Sequence, residues 1–504
     1  MSGETLTLDL ADEAATIRLG GDIAAALARG DLVALTGDLG AGKTTLARAL
    51  IRALAADPDL EVPSPTYTLA QAYAAKMPVT HFDFYRLSDA SEVAELGLEE
   101  ALADGVALVE WPEHGGDALP PAAIAVSLAE TADGGRRATL VATGDADTRL
   151  RRSLAIRAFL EKAGWGAALR SHLAGDASTR SFELARIAGE PDRIVMDAPE
   201  HAGGPPVRDG LPYGAIAHVT TAVTPFVAVS HSLRRQGFAA PEVFAADLEA
   251  GILLVEHLGS EGILDAERRP IAARYEAAVG LLAEIHRRRW ASTIEAPFGA
   301  RHDLPPYDRD AMMIEVELLL DWYVPAMTGS TPGETDRRAF VAAWDEVFAR
   351  VADMEKSLVL RDFHSPNIIW RDDRQGLDRL GLIDLQDALI GPAAYDAAAL
   401  VHDARATVPA ALETALMAHY CSIRAADVGF DEEAFRMAFA IMSAQRCSKI
   451  LGIFVRLDRR DGKPAYLAHL PRMRDYLRRT IAHEALAPVR ALYERWHLLD
   501  ETPA

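Results

Sequence analysis

The sequence predicts two domains of mixed α/β composition, and three observations lead to this prediction. Residues 32–56 have the pattern of a buried strand, a glycine-rich loop and a helix. Residues 360–387 carry two polar clusters, each beside an apolar run. The chain of 504 residues is also too long for one hydrophobic core, and this length suggests two to four domains. We therefore expect separate cores, with a chemical site in at least two of them.

Composition narrows the class of protein. Half of the residues are hydrophobic and a quarter are charged, as in soluble globular proteins. The net charge of -22 argues against a broad nucleic-acid groove, because such grooves are basic. The two cysteines, Cys421 and Cys447, exclude a disulfide framework and fit a reducing compartment. An acidic N-terminus and the lack of a long apolar run predict a cytoplasmic protein without signal peptide or membrane helix.

The first predicted domain, residues 1–144, is organised around a phosphate-binding loop. A buried strand runs into the motif G-x-x-x-x-G-K-T and then into a helix, so that backbone N–H groups can close around phosphate oxygens. The predicted nucleotide-binding residues are Gly37, Asp38, Leu39, Gly40, Ala41, Gly42, Lys43 and Thr44. Lys43 would neutralise phosphate charge, and the Thr44 hydroxyl would ligate magnesium. A purely structural glycine-rich turn is the alternative, which the complete motif disfavours.

A P-loop enzyme also needs an acidic residue at the end of a neighbouring strand. Glu110 ends an apolar run and is therefore the predicted second magnesium contact. Asp83 lies in an alternating segment and could touch a metal-bound or attacking water, or could pair with Arg86. Thr66 follows a proline-stiffened turn and could sense the nucleotide or cap a helix or turn.

The order of motifs in this domain resembles the TsaE family, the P-loop ATPases of tRNA threonylcarbamoyladenosine biosynthesis. The resemblance is carried by GDLGAGKT (37–44), VPSPTYTL (62–69), HFDFYRL (81–87), ELGLEE (95–100) and VEWPEHGGDALP (109–120). It implies an α/β P-loop NTPase fold whose ATP hydrolysis supports the threonylcarbamoyl transferase complex acting on adenosine 37 of certain tRNAs. It also implies that Thr44 and Glu110 ligate Mg²⁺. Contact with tRNA would then be indirect, through protein partners, in keeping with the acidic charge.

The second predicted domain follows a short linker. Residues 145–150 are small and polar and predict this linker, and residues 151–504 form the domain. A division near residue 258 separates a small lobe from a larger, mostly helical one. Glu256 and Leu258 follow an apolar strand at this division, where their backbone groups would meet the adenine of ATP.

The small lobe lacks an expected lysine. A turn at 175–179 and the two strands after it are typical of the segment that covers ATP phosphates, where the second strand normally carries a lysine. No lysine lies between Lys162 and Lys356. Arg180 is the first candidate for that contact and Arg186 the second, although an exposed turn position is equally compatible with Arg180.

Residues 360–387 contain the candidate chemistry of the second domain. Asp362 precedes Asn367 by five residues, and Asp384 ends an apolar run. Phosphotransferases use this order: the first aspartate orients the attacking hydroxyl and accepts its proton, while the asparagine and second aspartate hold magnesium. Asp362 is thus the predicted catalytic residue, and Asn367 and Asp384 are the predicted metal ligands. His364 is predicted to shape the loop.

The patterns D-x-H-x-x-N, I-D-x-Q-D and G-P-x-x-Y-D resemble the aminoglycoside phosphotransferase and choline kinase superfamily. The segments GDASTRSF, IVMDAPE, DWYVP and 445–457 further resemble AmgK, a family of anomeric amino-sugar kinases. The resemblance implies an α+β protein-kinase-like fold of two lobes, with ATP and Mg²⁺ as cofactors. It implies phosphorylation of N-acetylmuramate or N-acetylglucosamine at carbon 1 in cell-wall recycling. Many superfamily members have a histidine where this sequence has Leu360, so that position carries no assignment. The absent lysine is shared with the AmgK branch.

Several roles stay open. Asp396 is predicted to hold the catalytic loop through backbone hydrogen bonds. One set of helical residues could contact the sugar or could staple its helix to the catalytic lobe: Gln445, Arg446 and Lys449. A second set could face substrate but is more typical of a solvated helix side: Glu315, Glu317 and Asp321. The acceptor could instead be an aminoglycoside or a choline-like amine. The second domain could also bind nucleotide only to regulate the first, but the complete catalytic set disfavours that alternative.

Overall fold

The computed structural model describes residues 4–75, 77–87, 89–173 and 180–500. Two compact units make up the chain. The first contains Met1–Pro199 and Phe244–His257, and the second contains Glu200–Val243 and Leu258–Ala504. The turn predicted at 175–179 lies outside the described residues.

The first unit begins with a seven-stranded mixed sheet. Its strands are β1 (Leu6–Leu10), β2 (Leu32–Thr36), β3 (Ala70–Tyr73), β4 (Val79–Asp83), β5 (Val106–Glu110), β6 (Ile124–Glu130) and β7 (Arg136–Ala142). They lie in the order β1-β7-β6-β2-β5-β4-β3. Strands β4, β5, β2 and β6 run parallel to one another, β3 and β7 run in the opposite direction, and the edge strand β1 pairs antiparallel with β7. The carboxyl ends of β2, β4 and β5 therefore meet at one edge.

Three helices accompany this sheet. They are α1 (Glu13–Ala26), α2 (Lys43–Ala55) and α3 (Leu98–Asp104). The predicted order of strand, loop and helix is confirmed, because β2 ends at Thr36 and α2 begins at Lys43. Helices α1 and α2 approach closely at Gly20, where a Cβ atom would lie 2.6 Å from the Cβ of Ala49. The helix that starts at the glycine-rich loop is thus tightly packed against α1.

The remainder of the first unit is one helix and a five-stranded sheet. The elements are α4 (Asp145–Lys162), β8 (Leu169–Leu173), β9 (Ser181–Arg186), β10 (Arg193–Asp197), β13 (Val243–Asp247) and β14 (Ile252–Glu256). The strands lie in the order β13-β14-β10-β9-β8. A separate apolar core joins α4 to this sheet and includes Ile156, Leu160, Trp165, Val195 and Leu254.

Residues 145–150, predicted to be a linker, form the first turns of α4 instead. Ala146 and Leu150 from these turns are buried in the apolar core of the first sheet. Arg149 donates a 2.7 Å hydrogen bond to Asp31 and another to the Ala26 carbonyl. The segment is ordered because two of its residues face a core, which its small and polar composition does not reveal.

A buried ion network lies where α1, α4 and β8 meet. We call it the Asp22 network, and its members are Asp22, Ser153, Arg157, Arg170 and Glu183. The Asp22 carboxylate accepts hydrogen bonds from Arg157 at 2.8 and 2.9 Å and from Arg170 at 2.7 Å. Arg170 also donates to both oxygens of Glu183, at 2.6 and 2.9 Å. Two arginines thus face two carboxylates in a buried joint between the two sheets of this unit.

The second unit is mostly helical. Its helices are α5 (Tyr213–Ile216), α6 (Thr224–Arg235), α7 (Ala272–Arg287), α8 (Arg309–Leu318), α9 (Val324–Thr328), α10 (Glu334–Ala349), α11 (Ala394–Val401), α12 (Ala410–Arg424), α13 (Glu432–Arg459), α14 (Leu470–Thr480) and α15 (Ala487–Arg495). Its strands form four antiparallel pairs: β11 (Pro206–Arg208) with β12 (Leu211–Pro212), β15 (Thr293–Glu295) with β16 (Arg301–Asp303), β17 (Lys356–Val359) with β20 (Leu389–Pro392), and β18 (Ile368–Trp370) with β19 (Leu380–Leu382). The helical prediction for the C-terminal part is confirmed.

Helix α13 runs through the centre of the second unit and packs against α8, α11 and α14. It approaches the C-terminal end of α8 closely at Gly452, where a Cβ atom would lie 2.3 Å from the Leu318 carbonyl oxygen. Among the described residues, α13 is the single helix long and apolar enough to cross a membrane. Within its most apolar 18-residue window, 83% of the residues are buried in the protein, which is the environment of a core helix.

Candidate active sites

The glycine-rich loop of the first unit follows the edge at which the parallel strands end. Gly37 has φ 137°, and a Cβ atom there would lie 2.3 Å from the Leu128 carbonyl oxygen, so only glycine fits. Gly42 has φ 104° and caps α2 without a side chain. The first-turn N–H groups of α2 are therefore left for another acceptor, and an anion such as phosphate matches them in charge.

Lys43 is buried at the start of α2. Its amine donates to the carbonyl oxygens of Gly37 at 2.6 Å and Asp38 at 2.9 Å, and lies 3.7 Å from the centre of the Trp111 ring. Burial lowers the pKa of this amine, and the carboxylates around it, led by Glu110, oppose that shift. The lysine is thus held inside the loop that would surround phosphates.

Thr44 and Glu110 are brought together, as the magnesium prediction requires. The Thr44 hydroxyl donates to Glu110 Oε2 at 3.0 Å. The other carboxylate oxygen, Oε1, lies 3.0 Å from Nε2 of His81, a buried residue on the neighbouring strand β4. Hydroxyl and carboxylate oxygens are ligands that Mg²⁺ prefers, so this pair fits that ion.

Sequence reasoning missed His81. The signal was available, because His81 and Asp83 are two residues apart on a strand and therefore face the same side of the sheet. Parallel pairing sets Asp83 beside Glu110, so the face that carries the predicted acid also carries this histidine. His81 holds the Glu110 carboxylate in place.

Asp83 contacts a neighbouring loop instead of Arg86. Its Oδ2 accepts hydrogen bonds from Ser64 at 3.0 Å and from Thr66 at 2.8 Å. The guanidinium of Arg86 lies 4.3 Å from the centre of the Tyr67 ring, so the suggested ion pair with Asp83 is absent from the described contacts. Thr66 is bonded to the acid at the strand end and does not cap a helix. The loop at 64–66 is therefore tied directly to the end of β4.

In the second unit, the predicted role of Asp396 is confirmed. Its carboxylate accepts hydrogen bonds from the backbone N–H groups of Leu360 at 2.6 Å and Arg361 at 2.9 Å. Burial, opposed by these two bonds and assisted by the charge of Asp362, raises the pKa of Asp396 to about 7. Arg361 has φ 71°, in the left-handed region, so the loop turns sharply just before Asp362.

Asp362 keeps 41% of its side-chain surface accessible. Desolvation by the surrounding protein acts to raise its pKa, but His364, Lys449 and Arg446 outweigh this effect and hold the pKa below the usual range. His364 Nε2 lies 3.7 Å from the Asp362 carboxylate. The histidine predicted to shape the loop therefore also stabilises the charge of the candidate catalytic residue.

Asn367 and Asp384 lie side by side. The Asn367 amide donates to the Asp362 carbonyl at 3.0 Å and to Asp384 Oδ2 at 3.4 Å. The hairpin of β18 and β19 sets these two residues together, because Ile368 pairs with Leu382. Asp384 has φ 61°, a strained conformation that is common at functional sites, and Oδ1 accepts a 3.0 Å hydrogen bond from Gln386. Amide and carboxylate oxygens again fit Mg²⁺.

Glu315 is fully buried, which corrects the prediction of a solvated helix side. It accepts hydrogen bonds from Gln445 at 2.8 Å and Lys449 at 2.7 Å, and also from Tyr307 and Arg361. We call these five residues the Glu315 network. Burial acts to raise the pKa of Glu315, but Lys449 and Arg361 lower it to about 2.

The two other acidic residues of that helical set differ. Glu317 is buried and pairs with Arg208, so the same correction applies to it. Asp321 keeps 43% of its side-chain surface and pairs with Arg337. Gln445 and Lys449 staple α13 to α8 through Glu315, and Arg446 bonds the His402 carbonyl at 3.4 Å.

The remaining predicted nucleotide contacts are placed as follows. Glu256 ends β14 in the first unit, and Leu258 is buried in the second, where it packs against Gly381. Arg180 directly precedes β9 and is half-buried. Arg186 binds Asp192 through two nitrogens, at 3.1 and 3.0 Å, so its guanidinium is already engaged.

Comparisons with known proteins match the N-terminal part and the rest of the chain to two different families. Residues 10–138 match the model of threonylcarbamoyl adenosine biosynthesis protein TsaE, and residues 170–437 match that of the phosphotransferase enzyme family. A Caulobacter vibrioides N-acetylmuramate/N-acetylglucosamine kinase is 34% identical over 363 residues, which are 68% of this chain and 96% of that protein. A Pseudomonas putida kinase of the same name is 33% identical, over 61% of this chain and 81% of that protein. The tRNA threonylcarbamoyladenosine biosynthesis protein TsaE of Haemophilus influenzae is 39% identical over 25% of this chain and 82% of that protein.

Proposed function

The chain belongs to the phosphotransferase enzyme family and, through its N-terminal part, to the TsaE family, and from this premise we propose that it is a bifunctional enzyme. We assign residues 1–144 to a P-loop ATPase that supports threonylcarbamoylation of tRNA adenosine 37. We assign residues 151–504 to an ATP-dependent kinase that phosphorylates N-acetylmuramate and N-acetylglucosamine at carbon 1. The names of the two groups of relatives support this assignment, and favour an amino sugar over an aminoglycoside or choline as acceptor.

One observation carries the kinase proposal: the Asn367 amide bonds both the backbone carbonyl of Asp362 and the carboxylate of Asp384, so the three residues lie together. Asp362 would orient the anomeric hydroxyl and accept its proton as the new oxygen–phosphorus bond forms and ADP leaves. Its lowered pKa keeps it ionised at neutral pH, as a proton acceptor must be. Asn367 and Asp384 would hold Mg²⁺, which neutralises phosphate charge when bound. Arg180, Glu256 and Leu258 remain proposed contacts to ATP.

In the first domain, Thr44 and Glu110 would hold Mg²⁺ and Lys43 would neutralise the β- and γ-phosphates. The contact of Thr44 with Glu110 at 3.0 Å supports this arrangement. Proteins of the threonylcarbamoyl transferase complex are the proposed partners, and the net charge of -22 favours protein over tRNA as the direct contact. A cytoplasmic location follows from both activities.

The kinase assignment is tested by identifying the product. The purified chain is incubated with ATP and a panel of N-acetylmuramate, N-acetylglucosamine, an aminoglycoside and choline, and products are identified by phosphorus NMR. We expect a phosphate on the anomeric carbon of the amino sugars, and at least about a 1,000-fold loss in Asp362→Asn, because the proton acceptor is removed. A product phosphorylated at carbon 6, or full activity in the variant, contradicts the assignment.

The ATPase assignment needs its own variant, because either domain could release ADP. Lys43→Ala should abolish the contribution of the chain to tRNA threonylcarbamoylation in a reconstituted system, while sugar phosphorylation continues. Asp362→Asn serves as the reciprocal control and should leave tRNA modification intact. Unchanged modification with Lys43→Ala would remove the proposed role of the P-loop.

A further inference from the structure

Arg456 has no carboxylate partner in the part of the second unit that the structure describes, and we propose that it binds the carboxylate of N-acetylmuramate. The proposal rests on the kinase function proposed above and deepens it. N-Acetylglucosamine lacks the lactyl group that carries this carboxylate. Arg456 would therefore be the residue that distinguishes the acidic sugar from the neutral one.

The Arg456 side chain is half-buried, and its guanidinium is only partly hydrogen-bonded. Its guanidinium lies 5.4 Å from the centre of the Tyr213 ring, and its Nε atom is buried without a hydrogen-bond partner. Within the described ranges, Arg456 forms no ion pair. Its near neighbour Asp461 binds Arg460 instead, at 2.7 Å. A partly desolvated cation is costly unless a ligand completes its shell, and a carboxylate is the anion that matches a guanidinium fork.

The position of Arg456 connects it to the catalytic loop. Lys449 and Arg456 are seven residues apart on α13, which is about two helical turns, so both face the same side. Lys449 binds Glu315 at 2.7 Å, and Glu315 also binds Arg361, the residue before Asp362. The same face of α13 thus carries Arg456 and also Lys449, which is linked through Glu315 to Arg361 beside Asp362.

Tyr213 is close enough to these cations for their charges to affect its hydroxyl. Burial raises its pKa to about 12, with the charge of Glu315 adding to the shift and Lys449, Arg361 and Arg456 opposing it. The phenol therefore stays neutral, and its ring presents a face to Arg456. A sugar bound with its anomeric hydroxyl at Asp362 carries the lactyl ether two ring carbons away. The carboxylate on that ether would then meet the free edge of the guanidinium.

A specificity measurement tests the proposal. Arg456→Gln keeps a polar hydrogen-bonding group on a shorter side chain and removes the charge. We expect kcat/KM for N-acetylmuramate to fall about 10- to 100-fold, mainly through KM, because a charge-assisted hydrogen bond is lost. The fall for N-acetylglucosamine and for the methyl ester of N-acetylmuramate should be much smaller, which also shows that the variant is folded. Arg456→Lys should recover part of the loss.

Arg459, exposed near the end of the same helix, provides the matched control, and Arg459→Gln should leave both sugars unaffected. An equal fall for both sugars in Arg456→Gln would make the residue structural and overturn the proposal. An unchanged kcat/KM for N-acetylmuramate would overturn it as well. If the unmodified chain phosphorylates neither sugar, the proposed kinase function fails and this subsite falls with it.

Discussion

The Asp22 network and the Glu315 network are both buried, but their charges are balanced differently. Asp22 and Glu315 are 2% and 0% exposed. In the Asp22 network, two arginines face two carboxylates, so the charges cancel. In the Glu315 network, one carboxylate faces the two cations Arg361 and Lys449. The first network is neutral and joins α1, α4 and β8, whereas the second carries a net positive charge.

The retained charge of the Glu315 network has a visible effect. Lys449 is among the groups that hold the pKa of Asp362 low, against the desolvation that would raise it. The imbalance therefore favours the ionised form of the candidate catalytic residue. Arg456, on the same face of α13 as Lys449, adds a further positive charge. A balanced network fixes structure alone, and an unbalanced one can attract an anion.

The largest expected effect on stability comes from removing one arginine from the charge-balanced Asp22 network. Arg170→Met leaves Asp22 with a single arginine and removes the arginine that binds both oxygens of Glu183, so buried carboxylates lose their counter-charge. We expect a loss of about 3–5 kcal/mol in unfolding free energy. Hydrogen exchange of peptides from α1, α4 and β8 should rise first.

Arg186→Met is the matched control for that variant. Arg186 pairs with Asp192 but keeps 53% of its side-chain surface exposed. We expect a change below about 1 kcal/mol, because exposed ion pairs contribute little. Equal losses in the two variants would mean that burial of the Asp22 network does not set its strength.

The next largest effect is expected from increasing the net positive charge of the Glu315 network. Glu315→Gln keeps the shape of the side chain and removes the one carboxylate that faces Arg361 and Lys449. We expect a loss of about 3 kcal/mol, since the cations retain an amide oxygen as acceptor. Denaturant titration measures it, and hydrogen exchange should rise in α8 and α13. Rising exchange confined to α1 and β8 would contradict the separation of the two networks.

Candidate site residues could be predicted from the sequence, whereas the two buried ion networks could not. Spacing pointed to the glycine-rich loop and to Asp362, Asn367 and Asp384 as candidates, because these residues are close in sequence or follow strands. Glu315 was misassigned because residues 311–320 are buried on every side of the helix, so a glutamate among them is buried whichever way it points. Asp22 draws its two arginines from more than a hundred residues away, and no local pattern predicts such a pairing.

A smaller, pH-dependent effect concerns a buried group outside the Asp22 and Glu315 networks, His286. His286 Nδ1 lies 2.6 Å from the Tyr420 hydroxyl, and burial, with Arg424 adding to it, lowers the pKa of His286 to about 3. The neutral ring contributes stability that is present above pH 6.5 and is lost as the pH falls toward 3. His286→Gln should flatten this dependence by about 1.4 kcal/mol at pH 5.5. Denaturant titrations at pH 7.5 and 5.5 measure it, and parallel curves would contradict it.

The smallest expected effect separates hydrogen bonding from charge in the Asp22 network. Ser153 donates a 2.6 Å hydrogen bond to the Asp22 carbonyl and accepts one from Arg170 at 3.2 Å. Ser153→Ala removes both but leaves two arginines facing two carboxylates. We expect a loss of about 1 kcal/mol by denaturant titration, because a neutral buried hydrogen bond contributes about that much. Exposed Ser422, which bonds the His419 carbonyl at 2.7 Å, is the control, and Ser422→Ala should change little. A loss as large as that of Arg170→Met would show that the network depends on its hydrogen-bond geometry more than on its cancelled charges.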